Sequence, residues 1–247
     1  CSHQPHTMRF LFLILFSCSA LQATNIAPEG SAIFGRHTQV SSTLGTPYNH
    51  VSPPSVLNDG NNSAITDTWF SNTSTDHSYI GVTWSSPRTD QVTSVTVDLA
   101  SFLDGGWFGK NGASPGAGNP LDVSLHHEEP TMQVTTDGGS TWANVSTTSN
   151  YPSRIDGHEI GGGGNPNPTH FSATWTLTTP QTNINGIRLI GEEGGNAGAD
   201  SNGFIAASEL YVEASPAPVD PVLWTDPVRD NVGQSTTIHW DLPAGVP

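Results

Sequence analysis

The chain has 247 residues, 34% of them apolar and only 12% charged, with 26 Gly and 19 Pro. Its 7 Lys and Arg stand against 22 Asp and Glu, a formal charge of −15. A surface of that sign repels phosphate backbones, anionic lipid and sulfated glycans, which argues against nucleic acid as a partner. Thr, Ser, Asn, Val and Trp recur while long Ala/Leu/Glu/Lys stretches do not, so short strands joined by turns are expected in place of helices.

In chain order, Met8-Arg9, the apolar run Phe10–Phe16 and the small residues up to Ala23 read as a secretory signal peptide, with residues 1–7 upstream of it. The run is too short to span a bilayer. Both cysteines, Cys1 and Cys18, lie in this segment, so a chain cut after Ala23 carries neither a disulfide nor a cysteine metal site. Leu15-Phe16-Ser17-Cys18 loosely resembles a lipoprotein processing site, which leaves surface anchoring through Cys18 as the rival to free secretion.

Residues 24–214 carry alternating apolar positions, the mark of half-buried strands. The series runs Ile80/Val82/Trp84, Val95/Val97/Leu99, Met132/Val134, Ala173/Trp175/Leu177, Ile187/Leu189 and Leu210/Val212. Each segment closes on turn residues such as Asp137-Gly138-Gly139, and the rhythm predicts an antiparallel β-sandwich or jelly roll. Two Gly-rich stretches, 104–130 and 149–170, break it and read as loops that are functional or disordered. A Pro-rich linker is expected over 215–223, and 224–247, with its strand-like Thr236–Trp240, reads as the start of a truncated second β module.

Several segments taken together resemble the coagulation-factor type C, or discoidin-like (galactose-binding-like), domain that also occurs as bacterial carbohydrate-binding modules. They are Asn25-Ile26-Ala27, Leu57–Asn61 followed by Trp69-Phe70-Ser71, Ile80–Trp84 with Pro87, Val92–Val97, Ile187–Ile190 and Gly203–Leu210. The resemblance implies a jelly roll of about eight strands that binds ligands through loops at one end. It also implies a structural Ca2+ held by Asp59 and Glu209, with carbonyls of Asn58 and Asn61. Asp67, flanked by Thr66 and Thr68, stands where the family has a threonine. Hard oxygens from a tight loop suit Ca2+, although Asp-Gly is also a common turn.

A sugar site needs an aromatic plate flanked by polar groups. Trp107, Phe108, Tyr151 and Phe204 lie in Gly-rich segments off the strand pattern, so they, with His126, are the ligand-binding candidates, whereas Trp69, Trp84, Trp142 and Trp175 read as core. Arg188, within a strand, is expected in an ion pair. The set His126, His127, Glu128, Glu129, His158, Glu159 and His170 lacks a recognised metal-site spacing and reads as a polar loop. Neither a nucleophile elbow nor a phosphate loop is present. The expectation is a secreted or cell-surface, non-catalytic carbohydrate-binding module that takes a polysaccharide or glycan and belongs to a larger polysaccharide-active or cell-surface protein. The alternatives are an adhesion or matrix protein that meets a protein partner, and a jelly-roll lyase or hydrolase using the Tyr151/His126/His158 region.

Overall fold

The computed structural model describes residues 22–37, 43–44, 46–47, 51–69, 77–102, 105–109, 128–155, 168–195, 203–217, 222–225 and 238–241. Ala23–Ala217 make one compact unit. Its strands are β1 (Thr24–Asn25), β2 (Ser31–His37), β3 (Thr46–Pro47), β4 (Thr66–Asp67), β5 (His77–Arg88), β6 (Gln91–Ser101), β7 (Gly105–Phe108), β8 (Thr131–Thr135), β9 (Ala143–Asn144), β10 (Thr147–Ser149), β11 (Thr169–Gln181), β12 (Ile184–Gly195) and β13 (Ala206–Ser215). A short helix, α1 (Tyr151–Ile155), lies between β10 and β11.

These strands form two antiparallel sheets. One has the order β1-β13-β6-β11-β10, with β4 added beside β13; the other runs β3-β2-β5-β12-β8-β9, with β7 beside β12. Period-two alternation explains why they stack. In β11, Phe171, Ala173, Trp175 and Leu177 are buried while Ser172, Thr176 and Thr178 are exposed, as a strand with one dry face requires. The inward rows of both sheets, among them Phe34, Ile80, Val82, Val97, Leu99, Trp175, Ile187, Leu189 and Leu210, merge in one apolar core. The antiparallel sandwich expected from the sequence is therefore the fold observed, and Trp84, Trp142 and Trp175 are buried as expected.

Register places the connections. His37 faces His77, Ser101 faces Thr169, and Phe108 faces Glu193, so these strand ends share one end of the sandwich. The long connections after β7, after α1 and after β12 leave from that end. The opposite end is closed by tight turns, including the short link between β11 and β12 in which Asn183 takes a φ of 56°.

The β8–β9 hairpin is fixed by its own turn chemistry. Asp137 accepts from the Thr141 N–H at 2.9 Å, the Thr141 hydroxyl at 2.6 Å and the Thr135 hydroxyl at 2.8 Å. Gly138 and Gly139 supply positive φ values of 73° and 93°, a backbone region that L side chains avoid. These bonds hold the Asp137 carboxyl down to about 2.

Beyond Ala217, β14 (Val222–Thr225) and β15 (Ile238–Asp241) pair antiparallel. The strand-like piece at 236–240 overlaps β15, and its partner begins at Val222, inside the stretch read as linker. Among the described residues no helix is long and apolar enough to cross a membrane.

Candidate functional site

The loop after Leu57 is tied to β13 by a buried carboxylate. Glu209 accepts the Gly60 N–H at 3.4 Å and the Asn61 N–H at 3.1 Å, and the Asn61 N–H also meets Asp59 Oδ1 at 2.8 Å. Gly60 holds a φ of 78° there. Glu209 is fully buried and Asp59 exposed. Burial pushes the Glu209 carboxyl up; the Gly60 and Asn61 N–H groups oppose this, and the charges of Asp59 and Asp98 add to it.

Asp59, Asn61 and Glu209 are thus brought together, and the side chains of Asn58, expected to supply only its main-chain carbonyl, and of Asp67 have bonds of their own. Asn58 donates its amide to the Ala27 and Gly30 carbonyls at 2.9 and 3.0 Å. Asp67 accepts the Trp69 N–H at 3.1 Å. The donor chemistry of Asp59 and Glu209 fits a hard cation, because two carboxylates crowd one loop and one of them is desolvated. Among the described residues no three His, Cys, Asp or Glu side chains converge on a point. A Ca2+ here would therefore draw most of its six to eight oxygens from main-chain carbonyls and water.

The aromatic candidates are buried. Trp107, Phe108 and Tyr151 are fully enclosed and Phe204 is 3% exposed, so none offers an open face on which a sugar ring could stack. Trp107 and Phe108 lie on β7, paired to β12. Tyr151 donates its hydroxyl to the Phe108 carbonyl and stacks on Trp175 at 5.3 Å. The neighbouring glycines explain the misreading. A Cβ on Gly194 would sit 2.0 Å from the Trp107 ring, and one on Gly105 would sit 2.5 Å from Phe204. Here glycine lets backbone close onto a ring; it does not mark an open loop. Phe204 instead anchors a small cluster at the loop end with half-buried Trp69 and Phe102, at 6.5 and 5.7 Å. His126, His127, His158 and Glu159 lie outside the described residues.

Two arginines are structural in different ways. Arg36 donates Nε to Glu193 Oε1 at 2.6 Å and Nη2 to Glu193 Oε2, and Glu193 also accepts the Ser78 and Thr68 hydroxyls. Burial pushes the Glu193 carboxyl up against the pull of Arg36 and the hydroxyls. Arg188 is fully buried among rings and carbonyls. It lies 4.4 Å over the Trp142 ring and 5.4 Å over Tyr79, and donates to Gln133 Oε1 and to the Leu44 and Thr43 carbonyls. Aromatic faces and carbonyls thus surround the guanidinium, as a weakly hydrated planar cation allows.

The opening that the sequence reading missed lies on the outer face of the β13-β6-β11 sheet. It is a cleft of about 380 Å³ lined by Asn62, Asp98, Arg154, His170, Ser172 and Ser208, over Phe171. Asp98 is its centre. It accepts the Asn62 amide at 2.7 Å, the Ser172 hydroxyl, and the Tyr211 hydroxyl at 3.4 Å. Arg154 is held at the rim by donating to the Ser172 carbonyl at 2.9 Å, and His170 is exposed. The polar positions of Thr96-Val97-Asp98 and His170-Phe171-Ser172 carry the signal, since the apolar partners fix which side chains face out.

No protein-family model and no curated protein matches this chain. Among solved structures it is similar to the family 32 carbohydrate-binding module of NanJ from Clostridium perfringens in complex with galactose, at 16% identity over 78% of this chain and 99% of that one, with a TM-score of 0.42. It is similar to a mutant of the lectin binding domain of lectinolysin complexed with Lewis b, at 13% identity over 79% and 99%, with a TM-score of 0.39. It is also similar to the family 32 carbohydrate-binding module of Streptococcus pneumoniae EndoD, at 14% identity over 76% and 98%, with a TM-score of 0.36.

Proposed function

We propose that residues 24–214 act as a secreted or cell-surface, non-catalytic carbohydrate-binding module. The observation that carries this reading is the Asp98 cleft. In it a carboxylate, an amide, hydroxyls, a guanidinium and an imidazole line one open, polar depression. Sugar hydroxyls both donate and accept, and this set offers both roles. Asp98 is already braced by Asn62, Ser172 and Tyr211, so its oxygens are presented in a fixed geometry, which lowers the ordering cost of binding. Those contacts suit an acceptor that orients a ligand.

Secretion is proposed from the Met8–Ala23 leader, and the Asp59/Glu209 loop is proposed to hold a structural Ca2+. The loop continues directly into Asn62, so a cation there would stabilise the side chain that braces Asp98.

A glycan array probed with the full chain, and with the Asp98→Asn variant, tests the function. Sugar-specific signal that drops on Asp98→Asn supports it. A blank array from folded protein overturns it and favours an adhesion role with a protein partner.

A further inference from the structure

The outer face of the same sheet continues past the Asp98 cleft as a grid of hydroxyls set by register. Ser172 faces Asp98, Thr174 faces Thr96 and Thr176 faces Ser94 across the β11–β6 ladder, and Thr148 faces Thr176 across β10–β11. Thr96 and Thr174 hydroxyls meet at 2.8 Å. A second cleft of about 310 Å³ opens on this grid, lined by Thr148, Ser149, Asn150, Thr174 and Thr176. Asn150 is fixed there by accepting the Thr174 N–H at 2.8 Å.

We propose that the two clefts are subsites of one groove along β11, which binds an internal stretch of an extended, neutral polysaccharide chain. This rests on the carbohydrate-binding reading. Outward side chains on a strand repeat every ~6.7 Å, so Ser172 in the first cleft and Thr176 in the second lie roughly 13 Å apart along β11. A single sugar ring cannot reach both, and a chain can. Hydroxyls rotate to donate or accept, which matches a polyol of repeating pattern without demanding one stereochemistry at each step. The chain would be neutral, because the protein carries −15 overall and Asp98 and Glu129 lie on or beside this face, with Arg154 at the rim of the first cleft alone. A protein partner fits less well, since the grid offers no large apolar anchor of the kind that dominates protein interfaces.

The test is isothermal titration of the full chain with galacto-, manno- and gluco-oligosaccharides of increasing length. It is repeated on the Thr148→Val/Thr176→Val double variant, which keeps the β-branched shape and removes both hydroxyls. In the wild type, affinity should rise at least tenfold from monosaccharide to oligosaccharide for one of the three series, and the double variant, folded by circular dichroism, should lose that gain. Binding that is independent of length, or a gain that survives in the double variant, overturns the groove and leaves a terminal-sugar module. Folded wild type that binds none of the three series at any length overturns the groove too, and the array then decides the module reading separately.

Discussion

The Asn62 amide donates to Asp98 Oδ2 at 2.7 Å, which joins the Asp59 loop to the outer face of β6. Asn62 follows the residues whose N–H groups bind Glu209, and Asp98 is the acceptor at the centre of the cleft. One short segment therefore connects the proposed cation loop to the proposed sugar site. A change at either place should be felt at the other.

Calcium should raise thermal stability. At a free concentration about 100 times its dissociation constant, a ligand of the folded state adds ~2.7 kcal/mol. The Glu209→Gln variant removes one of two carboxylates and should lose most of that gain. Scanning calorimetry with Ca2+ and with EDTA measures it, and an identical melting temperature in both buffers for the wild type would remove the cation from the account.

Trp107→Ala should act on stability. The ring is fully buried against Gly194, and emptying such a site costs about 3–5 kcal/mol. Urea unfolding should show that loss. A variant of normal stability that has lost only glycan binding would place Trp107 back in the ligand site.

Arg188→Met should also destabilise, by about 2–4 kcal/mol, because the Leu44 and Thr43 carbonyls and Gln133 lose their buried donor. Burial lowers the Arg188 guanidinium to about 10 and raises Tyr79 to about 12. Both values keep the pair in its Arg+/neutral Tyr form through neutral pH. Chemical denaturation gives the difference, and a change below 0.5 kcal/mol would argue that the residue is peripheral.

Acid should loosen the β8–β9 hairpin. A carboxyl whose folded pKa is depressed contributes stability that is complete above its ordinary value and lost as pH falls through the folded one. For Asp137 that window runs from 3.8 down to about 2. The Asp137→Asn variant should show a shallower fall in melting temperature across the window than the wild type; parallel curves would contradict the assignment.

The strands were legible because alternation is a local signal: each of Ala173, Trp175 and Leu177 can be placed inward from its own neighbours. The Asp-Gly turn at 137–138 was legible for the same reason. The Asp98 cleft was not, since its parts meet only through register across β13, β6 and β11 and through a loop far away in the chain. The aromatic assignment failed on a different point. Glycine beside Trp107 and Phe204 looks the same in sequence whether it frees a loop or lets backbone close onto a ring, and only packing distinguishes them. Pairing Asp59 with Glu209 came from the family resemblance, and the loop hydrogen bonds bring the two together.

In the proposed function, Asp98 orients a sugar on the outer sheet face. The most direct test is isothermal titration of the best array glycan into wild type and into Asp98→Asn, which keeps the side-chain shape and removes the charge. An affinity loss of about tenfold, ~1.4 kcal/mol, is expected for a hydrogen bond to a charged group, measured on variant protein shown to be folded by circular dichroism. Equal affinities in the two proteins would contradict it and move the binding site away from this face.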